Sequence, residues 1–142
     1  HQESVVNAFR SMYGSTWEKE MRDTACFNVV PFRSPSVTKL PAHAWNAGTK
    51  WFQEVLEHLE PRLIICNGNS RSKSPWATLQ RLYSVKEYQG IPIGAAGSTA
   101  SIKQGKIDSG QFSGCQILAL PSLSRFGWPE LYEKLSGLKP FI

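Results

Sequence analysis

Three short stretches of the chain combine serine and arginine with proline or glycine, at the ends of apolar runs of strand length, and the first two also contain asparagine. They are residues 28–35 (NVVPFRSP), 67–72 (NGNSRS) and 120–126 (LPSLSRF). An asparagine amide can pair with both a carbonyl and a ring N–H, which suits the edge of a base. Serine hydroxyls, arginine side chains and the free amides at a helix start suit a phosphate. We therefore predict a phosphate-binding surface.

The elements that must position these stretches follow from the apolar periodicity. The predicted helices are Gln2–Tyr13, Ala42–Glu60, Ser70–Tyr83 and Trp128–Ser136, and the predicted strands are Thr24–Val30, Leu63–Cys66 and Cys115–Leu120. Residues 91–108 are expected to form short strands or a loose loop. Strand, helix and strand in succession predict a parallel βαβ unit, so the polar stretches are expected to share one edge of the sheet.

Composition sets the class of protein. A chain of 142 residues that is 41% hydrophobic fits a single domain spanning 1–142, and a net charge of +5 favours polyanionic partners. Cys26, Cys66 and Cys115 lack a CxxC spacing, so they are expected to be reduced core residues rather than zinc ligands or disulfides. No apolar run approaches the ~20 residues of a membrane span and no signal peptide is visible, which makes the cytoplasm the expected compartment.

At the three polar stretches the sequence resembles the uracil-DNA glycosylase superfamily. Asn28 matches the asparagine with which that family hydrogen-bonds a flipped pyrimidine, and Gly68 matches its glycine loop at a DNA phosphate. Residues 120–125 resemble its minor-groove loop, which here contains no histidine. The mismatch-specific and thymine-DNA glycosylase branches share that absence, so the resemblance is closest to them. It implies an α/β fold, a three-layer α/β/α arrangement around a central, mostly parallel twisted sheet.

The resemblance also implies the activity and the site. The activity is hydrolysis of the N-glycosidic bond of uracil or a related damaged, mismatched or modified base after flipping, by a monomer on duplex DNA, without metal or organic cofactor. It would act at the nucleoid or, in a eukaryote, in the nucleus. Leu123, Arg125 and Phe126 are the candidates for an apolar or cationic wedge. The implied base-binding residues are Asn28 and Phe32, and the implied DNA-binding residues are Arg33, Ser34, Gly68, Asn69, Ser70, Arg71, Pro121, Ser122, Leu123, Ser124 and Arg125.

The family's catalytic loop, a Gly-x-Asp/Asn-Pro turn ahead of a helix like Gln2–Gly14, is absent from the sequence. We therefore expect a fragment that lacks its first strand and catalytic loop, with a gap in the sheet and no assigned catalytic residue. Asp108 is predicted to be a turn residue only. A catalytically silent module that binds DNA or a protein partner is the alternative. An unrelated flavodoxin-like or nucleotide-binding domain is disfavoured because no P-loop or dinucleotide fingerprint occurs. Asn28 and the serines could also simply tie turns and cap helices.

Overall fold

Helices and short strands make up an α/β protein in the computed structural model, which describes residues 2–31, 39–94, 100–123 and 129–138. The helices are α1 (Gln2–Tyr13), α2 (Trp17–Arg22), α3 (Ala42–Leu59), α4 (Pro75–Leu82) and α5 (Pro129–Gly137), with a 3-10 turn at Gly14–Thr16. The strands are β1 (Leu63–Asn67), β2 (Val85–Glu87), β3 (Ile91–Pro92), β4 (Ser101–Ile107) and β5 (Gln116–Leu120). The long predicted helices and the two apolar strands at β1 and β5 are thus confirmed, within a few residues at their ends. No helix in the described part of the chain is long and apolar enough to cross a membrane.

The strands form one open, mixed sheet in the order β1-β5-β4-β2, with β3 paired to β4. β1 and β5 are parallel, from Leu63 opposite Gln116 to Asn67 opposite Leu120. The other three pairings, which all involve β4, are antiparallel. The described sheet is therefore mostly antiparallel rather than mostly parallel. The reason is that residues 85–107 return through short connections, which permit antiparallel pairing but are too short for a parallel crossover.

Alternate residues of β5 enter two different apolar cores, one on each face of the sheet. Ile117 and Ala119 belong to a cluster that includes residues of α3 and α4. Leu118 and Leu120 belong to a second cluster that includes residues of α1 and α5. Because successive side chains of a strand point to opposite faces, helices cover both faces of this central strand.

The stretch Thr24–Val30, predicted as a strand, pairs with no described strand. The predicted βαβ unit that began with it is therefore wrong. The apolar content of the stretch is explained by packing, since Val29 and Val30 are buried against α3. A Cβ atom built on Gly48 of α3 would lie 2.8 Å from the carbonyl oxygen of Val29. Close contact with a helix, rather than a hydrogen-bonded ladder, holds this stretch in place.

The cysteines divide into two environments. Cys66 and Cys115 are buried and reduced as predicted, and burial raises the pKa of the Cys66 thiol to about 12 and that of Cys115 to about 11. Cys26 is exposed, so the prediction that it is a core residue is wrong. It lies in the same unpaired stretch as Val29, where only part of the backbone packs against α3.

Beside β1, on the side away from β5, lies an open cleft of about 2540 Å³ bordered by α1, α3, the stretch 23–31 and both strand-end loops. Gln116 N–H donates to the Arg62 carbonyl and Gly68 N–H donates to the Leu120 carbonyl, each at 2.9 Å. These two bonds lie at the two ends of the β1–β5 ladder, and in a parallel ladder every second residue of a strand bonds the neighbouring strand. Even-numbered residues of β1 therefore bond β5, and the main-chain groups of Leu63 and Ile65 point away from β5. An apolar run of the kind found in central strands thus forms an edge of the described sheet.

Candidate nucleic-acid interface

The loops that follow β1 and β5 lie side by side at the carboxyl ends of these two strands. Asn67 and Leu120, the last residues of these parallel strands, are opposite one another in the register. The Gly68 N–H extends the ladder by one bond to the Leu120 carbonyl. The predicted juxtaposition of the second and third polar stretches is confirmed, because parallel neighbours end at the same edge.

Two asparagine side chains fasten these loops to the sheet. Asn67 Oδ1 accepts a hydrogen bond from the Leu123 N–H at 2.9 Å, across the two loops. Asn69 Nδ2 donates to the carbonyl oxygens of Ser101 at 2.5 Å and Ala119 at 3.1 Å. Asn69 was predicted to contact DNA, but its amide nitrogen is engaged by the main chain of β4 and β5. Asn67 was not singled out from sequence, although an asparagine that ends an apolar strand before a glycine is a common turn signal.

The loop from Gly68 to α4 is held by its own hydrogen bonds. Gly68 adopts φ +122°, and a Cβ atom there would lie 3.6 Å from Pro75, so the backbone angle rather than space requires glycine. Of the two serines that could cap this helix, Ser72 and Ser74, the structure uses Ser74: its Oγ accepts from the Ala77 N–H at 3.1 Å and donates to the Ser70 carbonyl at 2.7 Å. Pro75 then occupies the first turn.

Asn28 is exposed and is positioned by its neighbours along the chain. Phe27 packs edge-on against Trp51, with ring centroids 5.7 Å apart at 87°, and lies 5.7 Å from Phe52. Val30, two residues after Asn28, is buried against Gly48 of α3. The Asn28 side chain has no hydrogen-bond partner among the described residues. No contact of these residues therefore supports the alternative that Asn28 ties a local turn.

Seven of the predicted site residues line the large cleft beside β1. They are Asn28, Gly68, Asn69, Ser70, Pro121, Ser122 and Leu123. Arg71 lies outside that cleft, on the side of α3 and α4. Leu123 is only 4% exposed and packs in the core cluster of α1 and α5, so its side chain does not project as a wedge. The remaining predicted residues, Phe32, Arg33, Ser34, Ser124 and Arg125, and the wedge candidate Phe126, lie outside the described residues.

Carboxylates are absent from the described residues of the two strand-end loops. Asp108 follows β4, which runs antiparallel to β5, so it lies at the opposite edge of the sheet. Glu60 lines the cleft but precedes β1, so it lies at that opposite end of the strands as well. Glu20 and Asp23 line the cleft from α2 and the residue after it; Lys19 binds the Asp23 carboxylate at 2.9 Å, and this hydrogen bond lowers the pKa of the exposed Asp23 side chain. Within the described ranges, no group of three His, Cys, Asp or Glu residues could hold a metal ion.

No family model, curated protein or solved structure matches the chain. Function is therefore inferred from the residues of the cleft and from their geometry.

Proposed function

We propose that the chain is a domain of uracil-DNA glycosylase type, with the three-layer α/β/α arrangement of that superfamily. It binds duplex DNA and hydrolyses the N-glycosidic bond of uracil or of a related damaged, mismatched or modified base after the base is flipped out. The observation that carries the proposal is that Asn28 and the loops after β1 and β5 line one cleft. The exposed Asn28 amide, which has no partner in the described structure, thus lines the same cleft as the serines and main-chain amides of those loops.

The residues of the cleft are assigned roles in binding the flipped base and the neighbouring phosphate. The Asn28 amide donates to a base carbonyl and accepts from a ring N–H, a pair of groups that uracil and thymine present. Flipping brings that edge into the cleft, while the backbone next to Gly68 approaches the neighbouring phosphate. Hydrogen-bond donors at the base also stabilise the negative charge that develops on it as the glycosidic bond breaks.

A second candidate is a catalytically silent module that binds DNA through the same cleft. It is favoured by the absence of a carboxylate from the described residues of the two loops, because hydrolysis commonly employs a carboxylate to orient or activate water. Asp108 lies at the opposite ends of the strands from the two loops and does not line the cleft.

One experiment separates the two candidates. The purified chain is incubated with labelled duplexes that carry a U·G pair, a T·G mismatch or only normal pairs; abasic sites are revealed by alkaline cleavage on a gel, and affinity is measured by fluorescence anisotropy. Excision of one of the odd bases supports the glycosylase. Binding without excision supports the silent module. The absence of both contradicts the proposal and its alternative.

The base-pocket assignment is tested by Asn28→Ala, with Asn7→Ala in α1 as the control. Loss of a base-edge amide that is well matched to its partner costs about 1–3 kcal/mol, so the preference for the odd base over a normal duplex should fall by roughly tenfold. The Asn7 variant should keep that preference. Equal preference in both variants and the wild type would show that Asn28 does not read the base.

A further inference from the structure

A second, smaller cleft of about 370 Å³ lies between the start of α3 and the outer side of α4, and it shares Trp45 and Lys73 with the cleft that contains Asn28. Three cationic side chains line it, from Arg71 and Lys73 in the loop before α4 and from Arg81 in the last turn of that helix. Its other lining residues are Ala42, Trp45, Asn46, Ser72, Ala77 and Gln80. None of the residues that line it is acidic.

The cations of this cleft are not neutralised within the described structure. The only ion pair among the described residues joins Lys19 to Asp23, in and after α2. Lys73 Nζ instead donates to the Leu40 carbonyl at 3.2 Å, and Arg81 Nη2 donates to Thr78 Oγ1 at 3.4 Å. Both partners are neutral, so each cation keeps its full charge toward a ligand.

The remaining polar groups of the cleft are also rich in donors. Asn46 and Ser72 can each donate a hydrogen bond, whereas the Gln80 amide donates to the Glu87 carboxylate at 3.2 Å. Three positive charges with no acid among the lining residues favour an anionic ligand.

The spacing of the cations fits a chain of phosphates better than a single anion. Arg81 follows Pro75 by six residues, which is about 9 Å along the helix axis, and Arg71 and Lys73 precede Pro75. Because charges follow one another along a DNA strand, cations spread over this length can meet more than one phosphate. Arg71 directly follows Ser70, which lines the cleft of Asn28, and the two clefts are therefore joined through one loop.

We infer that the cleft formed by Arg71, Lys73 and Arg81 binds the phosphates of one DNA strand, next to the strand position whose base enters the cleft of Asn28. The inference rests on the proposed function, since it extends the DNA-binding surface from the strand-end loops onto the outer side of α4. The contacts carry no base information, because phosphate contacts fix register and orientation rather than sequence.

The test is DNA affinity as a function of salt for Lys73→Gln, Arg81→Gln and the double variant. Each lost phosphate contact lowers the slope of log affinity against log salt by about 0.9, which corresponds to about eightfold weaker binding at 0.1 M salt and about sixtyfold for the double variant. Lys134→Gln in α5 and Arg22→Gln in α2 are matched controls. Both remove one exposed positive charge outside the two clefts.

The expected result is a reduced salt slope in the cleft variants only, with an unchanged preference for the odd base. A slope equal to that of the controls would overturn the phosphate cleft while leaving the proposed function intact. A wild-type chain that binds no duplex at any salt concentration overturns both. Lys73 also donates a hydrogen bond to the Leu40 carbonyl. If a urea titration shows that the Lys73 variant is less stable than the wild type, the salt slope of the Arg81 variant alone decides the test.

Discussion

Asn28 and Asn69 both belong to predicted binding loops and both line the same cleft, but the structure holds them by different means. The loop of Asn69 is fastened by hydrogen bonds to β4 and β5, and the side chain itself supplies two of them. The stretch of Asn28 is held by the packing of Phe27, Val29 and Val30 on α3, and the Asn28 side chain is left exposed. The fold therefore uses the Asn69 amide for its own stability and leaves the Asn28 amide exposed.

Thiol labelling distinguishes the two environments most strongly. Cys26, two residues before Asn28, is exposed, whereas Cys66, next to Asn67, is 2% exposed. A buried thiol reacts only after the structure opens, and opening that requires even 5 kcal/mol slows labelling by about 1,000-fold or more. We expect a neutral maleimide to modify Cys26 first and Cys66 only in denaturant, as read by peptide mass spectrometry. Equal labelling of the two cysteines in the native protein would contradict the difference.

The largest loss of stability is expected for Asn69→Ala. It removes two hydrogen bonds and leaves the Ser101 and Ala119 carbonyls without that partner, at a cost of about 2–3 kcal/mol. The free energy of unfolding is measured by urea titration, with Asn7→Ala in α1 as the control for loss of an amide elsewhere. A loss below the error of the titration would mean that the loop is not fastened through Asn69.

A smaller loss is expected for Gly48→Ala, which tests the packed stretch. Alanine favours helix by about 1 kcal/mol over glycine, but its Cβ atom would lie 2.8 Å from the Val29 carbonyl oxygen and 2.9 Å from Val30 Cα. These are backbone atoms that cannot rotate away, so overpacking of about 1–3 kcal/mol outweighs the gain. Unfolding in urea should show net destabilisation, whereas Gly137→Ala in α5, with no atom within 4 Å, should show none.

The smallest effect on stability is expected for Asn28→Ala. An exposed side chain without a partner among the described residues contributes within about 0.5 kcal/mol to folding. The urea midpoint should therefore match that of the wild type even though the preference for the odd base falls. A loss comparable to that of Asn69→Ala would place Asn28 among the structural residues instead.

The sequence predicted those parts of the fold that depend on local pattern. The apolar spacing of α3 and the continuous runs at β1 and β5 each indicate their own structure, and Ser74 with Pro75 marks the start of α4. The stretch Thr24–Val30 has the same composition as a strand, but a strand also needs a hydrogen-bonding neighbour. Pairing is set by distant parts of the chain, so composition alone could not exclude it.

The candidate site was predictable to a similar extent. Strand-end loops after two parallel strands must meet, which brought Gly68, Ser70 and Ser122 together. The burial of Leu123 and the engagement of Asn69 depend on contacts with α1, α5 and β4, which no local pattern reveals. Arg81 was missed because its partners in the cleft, Arg71 and Lys73, are separated from it by most of α4.

The one-sided pairing of β1 has a consequence for the exchange of its amide hydrogens with solvent. The N–H groups of Ile64 and Cys66 point toward β5, whereas those of Leu63 and Ile65 point toward the open cleft. Protection against deuterium should therefore alternate along a single strand, slow at even positions and fast at odd ones. Any molecule that came to lie along this strand would abolish the alternation, so the odd-numbered amides report on the occupancy of the cleft without a label.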